Sequence, residues 1–237
     1  MRVALALLLA ALAAGCGGGG DGVQVFAASS LRDVLPALDR DATYNFAGSD
    51  ELAAQIREGA DADVFASAGP KPARQLAGLG LLDETRVFAT NRLVIVVPAA
   101  NPAGIDELED LARPETKLVL ADRGVPVGDY ARETLVRARL PTALGNAVSL
   151  EQDVKGVLGK VALGEADAGF VYRTDVRPVA GKVRVIPFPK KAQPTVLYEA
   201  AIAVSPRHLE AAQAFMIVLL GGEGRAALRA AGFGLPE

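Results

Sequence analysis

The sequence predicts an α/β protein in which mainly parallel sheets are covered on both faces by helices and the chain is shared between two lobes. Two observations carry this. From Val23 onward, short β-rich apolar runs alternate with stretches of helical spacing, the signature of strand–helix–strand units. Two strands, Leu93–Val97 and Ala200–Val204, end at Pro98 and at Ser205-Pro206 and read as crossings between lobes. That reading places residues 23–95 and 200–237 in the first lobe and 96–199 in the second. A chain of 237 residues is long enough for either one compact domain or two small lobes.

The expected strands are Val23–Ala27, Asp63–Ala66, Leu93–Val97, Lys117–Ala121, Ala168–Tyr172, Val183–Pro187 and Ala200–Val204. Helical spacing covers Ser30–Leu38, Ser49–Glu58, Pro72–Leu79, Asp106–Leu111, Gly128–Arg139 and Gln152–Leu163, then Pro206–Leu220 and Gly222–Ala231. Alternation of this kind favours parallel pairing, with helices over the sheets. The sequence carries no internal repeat.

The amino terminus has a different character. Arg2 precedes an apolar run from Val3 to Ala14, shorter than the ~20 residues that span a bilayer, and small residues follow. Residues 1–15 therefore read as an export signal. The ending Leu12-Ala13-Ala14-Gly15-Cys16 resembles the lipobox of bacterial lipoproteins, which makes Cys16 the expected acylated residue and the membrane an expected contact through its lipid. Cys16 is the single cysteine, so an internal disulfide and a multi-thiolate zinc site are both excluded. The run from Cys16 to Gly22 reads as a flexible tether. The expected location is extracytoplasmic, on a lipid anchor.

Composition narrows the function classes further. Hydrophobic residues make up 51% of the chain, which rules out a disordered protein. A net charge of −3 without a basic stripe gives no footing for nucleic acid.

Two short segments, Phe26-Ala27-Ala28-Ser29-Ser30-Leu31 and Phe46-Ala47-Gly48-Ser49-Asp50-Glu51-Leu52, share one grammar. Each passes from a strand-like stretch through small residues and a serine into a helical pattern. Ser30 with Asp33 reads as a capping box, although Pro36 should end that helix early. Ser49 precedes Asp50 and Glu51, which suit a first turn. Taken singly, either serine reads as a helix cap. As a pair at the carboxyl edge of a sheet, where open α/β folds bind ligands, they read as an anion site.

The second lobe offers parallel features. Gly124-Val125-Pro126-Val127-Gly128-Asp129 lies between a strand and a helix, and its plain reading is a connecting turn. Glu151-Gln152-Asp153-Val154 opens a helix with Val154, Val157, Leu158 and Val161 on one face, leaving the Val154 N–H in an unpaired first turn. Tyr172 ends a strand, where packing is the commoner role. Catalysis has little support. The only histidine, His208, follows Pro206-Arg207, and the chain has no G-x-S-x-G elbow, H-E-x-x-H or P-loop.

The runs VFAASSLRDVLPAL, FAGSDELAAQIREGADADVFASA, RLVIVVP, GVPVGDYARETL, EQDVKGVLGKVALGEADAGFVYRTD and the closing AAGF together resemble the molybdate-binding proteins of bacterial ABC importers, over essentially the whole mature chain. The resemblance implies a two-lobed, type II periplasmic-binding-protein-like fold with the ligand, molybdate or tungstate, in the cleft. It implies side-chain donors at Ser30 and Ser49, backbone donors at Val127 and Val154, and a donor at Tyr172, with Ser29 as an additional contact. It also implies a monomer that serves an importer permease and its ATPase, with no cofactor. Gly48 stands where relatives often carry serine, and the segment between Ser30 and Ser49 is short.

The chemistry agrees with the resemblance. Molybdate is doubly charged and unprotonated at neutral pH, so its site needs donors and no acceptors. Charge-assisted hydrogen bonds contribute about 1.5–3 kcal/mol each. A same-fold protein for another oxyanion such as sulfate is the alternative, and a serine hydrolase is the alternative of a different class.

Overall fold

The computed structural model describes residues 22–236, so the export signal, Cys16 and nearly all of the tether lie outside the described residues. Two five-stranded sheets form the frame. The first has strands β1 (Gln24–Ala28), β2 (Thr43–Ala47), β3 (Val64–Ser67), β4 (Arg86–Asn91) and β10 (Val196–Ile202), in the order β2-β1-β3-β10-β4. The second has β5 (Leu93–Pro98), β6 (Leu118–Ala121), β7 (Ala147–Glu151), β8 (Ala168–Tyr172) and β9 (Val183–Ile186), in the order β7-β6-β8-β5-β9.

The two sheets have one plan. In each, two pairings are parallel and two antiparallel, so that one strand, β10 in the first sheet and β5 in the second, runs against the other four. The sequence shows no repeat, yet the topology is repeated. The chain leaves the first sheet after Asn91 and enters the second at Leu93, so Leu93–Ile95 lie in the second sheet; Val196–Glu199 already lie in the first. Arg92 is the whole of the outward connection, and the return runs between Ile186 and Val196.

Helices α1 (Ser49–Arg57), α2 (Pro70–Gly78), α3 (Pro126–Arg137), α4 (Val154–Ala162), α5 (Leu209–Leu220) and α6 (Gly222–Ala231) cover the sheets. Leu52, Ile56, Ala73 and Leu76 bury the inner faces of α1 and α2 against Phe26 and Phe65. Val157, Leu158 and Val161 do the same for α4. No described helix is long and apolar enough to cross a membrane.

The expected helix over Ser30–Leu38 does not form. A three-residue 3-10 turn at Ser29–Leu31 and another at Leu35–Ala37 take its place. Pro36 lacks an N–H and cannot continue an α-helix. The capping box fails with it, because Ser30 Oγ bonds Tyr198 Oη at 3.0 Å and Asp33 pairs with Lys155 at 2.9 Å. The expected helix at Asp106–Leu111 is a 3-10 segment at Leu108–Ala112, opened by a Glu107/Asp110 capping box. Strands β2, β4 and β7 are not among the expected ones: Arg86–Asn91 is polar at both ends, and β2 and β7 are partly exposed edge strands.

At the amino ends of β1 and β3, buried Asp63 gathers the first sheet. It accepts the Gln24 N–H at 2.8 Å, the His208 N–H at 3.0 Å and faces His208 Nδ1 at 2.8 Å. Burial pushes its carboxyl up, but these hydrogen bonds outweigh burial and hold its pKa below the ordinary value.

Candidate functional site

Parallel strands β1 and β2 end side by side, with Ala28 opposite Ala47, and the two serine segments follow directly. The order β2-β1-β3 makes this the point where connections diverge to either side of β1, the usual ligand crevice of an open α/β sheet. The second sheet repeats the arrangement. Beyond the ends of β6 and β7 lie the first turns of α3 and α4, and β8 delivers Tyr172.

These four ends and Tyr172 meet in one small cavity. Ser29, Ser30, Ser49, Val127, Val154 and Tyr172 all line it, together with Gly48, Ala68, Pro126 and Asp153. No lysine or arginine is among the lining residues. Every one of the six expected site residues is buried, Ser49 and Tyr172 to 1% exposure, so the lobes are closed over the cavity.

The closed contact depends on small residues. A Cβ at Gly48 would stand 2.4 Å from the Gln152 carbonyl oxygen of the opposite lobe. Between the lobes, Lys155 Nζ lies 2.9 Å from Asp33 Oδ2, and Lys71 Nζ lies 3.0 Å from Asp129 Oδ2.

Each donor has a local origin. Ser49 is the first residue of α1, one position inside Gly48, which serves as the N-cap. Its hydroxyl therefore does not cap the helix. Ser49 Oγ accepts the Ala68 N–H at 3.0 Å, which leaves its own proton to point into the cavity. In α3, Pro126 occupies the first helical position, where a missing N–H costs nothing. The first intrahelical bond is Asp129 N–H to the Val125 carbonyl, so the Val127 and Gly128 N–H groups have no partner within the helix. Gly128 must lack a side chain there, because a Cβ would meet the Asp122 and Ala121 carbonyl oxygens at 2.3 and 2.4 Å.

In α4, the Asp153 side chain caps the helix by accepting the Gly156 N–H at 2.8 Å. One of its carboxylate oxygens is thereby held by its own helix, and the Val154 N–H is free of intrahelical bonding. Tyr172 Oη lies 3.5 Å from the Ala68 carbonyl, a contact too long to hold its proton firmly. Burial raises the Tyr172 pKa well above its ordinary value, so this phenol stays protonated and remains a donor.

Charges near the cavity are paired off. Asp175, wholly buried, faces Lys155 Nζ at 3.1 Å, and burial raises its pKa to about 6 against the lowering effect of Lys155. Lys155 is held by Asp33 and Asp175, and Lys71 by Asp129, so neither of these two cations is free to face the cavity.

Some residues that shape the site left no readable trace in the sequence. Tyr198 lies in the middle of β10 and reaches Ser30 across 168 positions. Ala68, immediately after β3, supplies the N–H that orients Ser49. Tyr130 packs edge-on against Tyr172 at 6.5 Å. None of them carries a local pattern distinguishable from ordinary core.

Known proteins with this architecture fit the geometry. The profile of the bacterial extracellular solute-binding proteins matches residues 23–234. Molybdate-binding protein ModA of Mycobacterium tuberculosis is 37% identical over 231 residues, covering 92% of this chain and 86% of its own. A Bacillus subtilis chain named as an ABC transporter substrate-binding lipoprotein is 28% identical over 224 residues, covering 89% of this chain and 85% of its own. Among solved structures, the Azotobacter vinelandii periplasmic molybdate-binding protein superposes with a TM-score of 0.80 at 23% identity, covering 91% of this chain and 100% of that one. This chain belongs to the bacterial extracellular solute-binding protein family.

Proposed function

We propose that this protein captures molybdate outside the cytoplasm and hands it to an ABC importer, and that it also takes tungstate, which matches molybdate in charge and nearly in size. One observation carries the reading. The cavity between the lobes is lined by hydroxyls and unpaired helix N–H groups, with no lysine or arginine, and its one lining carboxylate, Asp153, caps its own helix through one oxygen. Such a lining suits an oxyanion that brings four acceptors and no proton. The donors are Ser30 and Ser49 from the first lobe and Val127 N–H, Val154 N–H and Tyr172 from the second, with Ser29 beside them. The names of the relatives support the choice of molybdate among oxyanions.

The two sheets are the two halves of the clamp. Bending at Arg92 and in the return segment before Val196 opens the cleft, and ligand contact with both halves favours closure. A binding role without turnover accounts for donors with no base beside them. Cys16 carries the lipid that holds the protein at the membrane, and mass spectrometry of the membrane fraction tests this.

Calorimetric titration with molybdate, tungstate, sulfate and phosphate tests the ligand. Tight binding of molybdate and tungstate, with sulfate and phosphate much weaker, is the expected result. Tight sulfate binding without molybdate binding would overturn it in favour of a same-fold sulfate carrier.

A further inference from the structure

The hydroxyl of Ser30 is held by a chain of hydrogen bonds that begins at the connection between the lobes. Asn91 is the last residue of the first sheet before Arg92. Its Oδ1 accepts the Arg92 N–H at 2.8 Å, which fixes the orientation of the amide. The Nδ2 group is then turned inward, donating to Thr174 Oγ1 at 2.9 Å and to Tyr198 Oη at 3.4 Å. Either hydroxyl of the Tyr198 Oη–Ser30 Oγ pair, 3.0 Å apart, can donate, and the Asn91 amide proton aimed at Oη favours the phenol as the donor.

We infer that Tyr198 is a positioning residue that locks Ser30 as a donor toward the ligand, and so selects oxyanions that carry no proton. With a lone pair of Ser30 Oγ occupied by the Tyr198 proton, the Ser30 proton is directed to the cavity that Ser30 lines. Ser49 is set the same way by the Ala68 N–H. Hydrogen phosphate presents one O–H that needs an acceptor, and neither serine is turned to provide one. Burial keeps the Tyr198 phenol protonated, with Asp175 adding to the effect, so the lock holds across working pH.

The phenol also joins the two halves of the site. The Tyr198 ring meets Tyr172 edge-on at 5.7 Å and packs against Phe233 at 5.4 Å and Phe88 at 6.0 Å. Tyr198→Phe keeps all of this packing and deletes only the hydroxyl. The variant therefore separates orientation from support.

The inference rests on the oxyanion reading, and a double-mutant cycle tests it separately. Molybdate and phosphate affinities are measured by calorimetry for the wild type, Tyr198→Phe, Ser30→Ala and the double variant, with thermal unfolding recorded for each. Tyr198→Phe is expected to weaken molybdate binding about tenfold and to narrow the molybdate-to-phosphate ratio by a similar factor, as one misdirected charge-assisted bond would. In the Ser30→Ala background the same change is expected to alter molybdate affinity by less than about twofold, because the hydroxyl acts through Ser30. Asn91→Ala loosens the same chain from its other end and should shift the ratio in the same direction. An affinity unchanged in Tyr198→Phe, or an equal loss with and without the Ser30 hydroxyl, would overturn the positioning role while leaving molybdate binding intact. Wild-type binding of sulfate in place of molybdate would refute the proposed ligand alone, and the cycle is then read with sulfate.

Discussion

Replacing Ser49 with alanine separates the proposed ligand-binding role of this residue from its structural one. Ser49 is 1% exposed, and its hydroxyl accepts the Ala68 N–H at 3.0 Å and, in the proposed complex, donates to the oxyanion. Both Ser49 and Ala68 belong to the first lobe, so the lost internal bond weakens the open and closed forms alike. That loss lowers stability by roughly 1–3 kcal/mol without changing affinity directly. The lost donor acts only on the bound state, where a charge-assisted bond contributes about 1.5–3 kcal/mol, a weakening of about 10- to 150-fold. Titration calorimetry reads the affinity and thermal unfolding reads the stability, with about 2–4 °C of melting temperature lost per kcal/mol in a protein of this size. A folded Ser49→Ala protein that binds molybdate within threefold of the wild type would refute the assignment.

Three further outcomes follow from the same geometry. Gly48→Ala places a methyl against the Gln152 carbonyl oxygen when the lobes close and, within its own lobe, 2.9 Å from Asp50 Oδ1, the end of a side chain that can turn away; Gly48 has φ −60° and ψ 140°, which alanine adopts freely. Its ligand-free melting temperature should match the wild type while molybdate affinity falls at least about tenfold, since overpacking costs about 1–3 kcal/mol; equal affinity would show that closure is looser than described. Asp33→Asn removes the half-exposed partner of Lys155 across the cleft, an interaction in the range of about 0–1 kcal/mol, so calorimetry should find affinity reduced by no more than about fivefold. Asp63 has a folded pKa below its ordinary 3.8, so its stabilisation is present above that value and is lost as pH falls through the folded value. Urea unfolding of Asp63→Asn should show a deficit at pH 7 that shrinks below about pH 4, and a deficit independent of pH would contradict the hydrogen-bonded carboxylate.

How much of this was legible beforehand varied with the range of the forces involved. The α4 start was readable because its determinants are adjacent: Asp153 caps Gly156 three residues on, and the apolar stripe begins at Val154. The α3 start was expected at Gly128 and lies at Pro126, because a proline followed two residues later by glycine reads as a turn as readily as a first helical position. The Ser30 segment was misread because a local capping box competed with contacts the sequence does not display. Lys155 took Asp33 and Tyr198 took Ser30, from 122 and 168 positions away. The anion-site reading does not depend on that helix, since it requires only that Ser30 lie past the end of β1. Tyr198 itself was invisible, because a tyrosine in an apolar strand has the same local signature whether its hydroxyl orients a ligand donor or merely finds a partner. The repeated topology of the two sheets was equally hidden, for it is a property of strand order and leaves no repeat in the residues.

The most direct test of the closing clamp is an anomalous difference map from crystals grown with molybdate. The account predicts one strong molybdenum peak inside the cavity, within hydrogen-bond reach of Ser30 Oγ, Ser49 Oγ, the Val127 and Val154 N–H groups and Tyr172 Oη. A peak outside that cavity, or one held by lysine or arginine side chains, would contradict it.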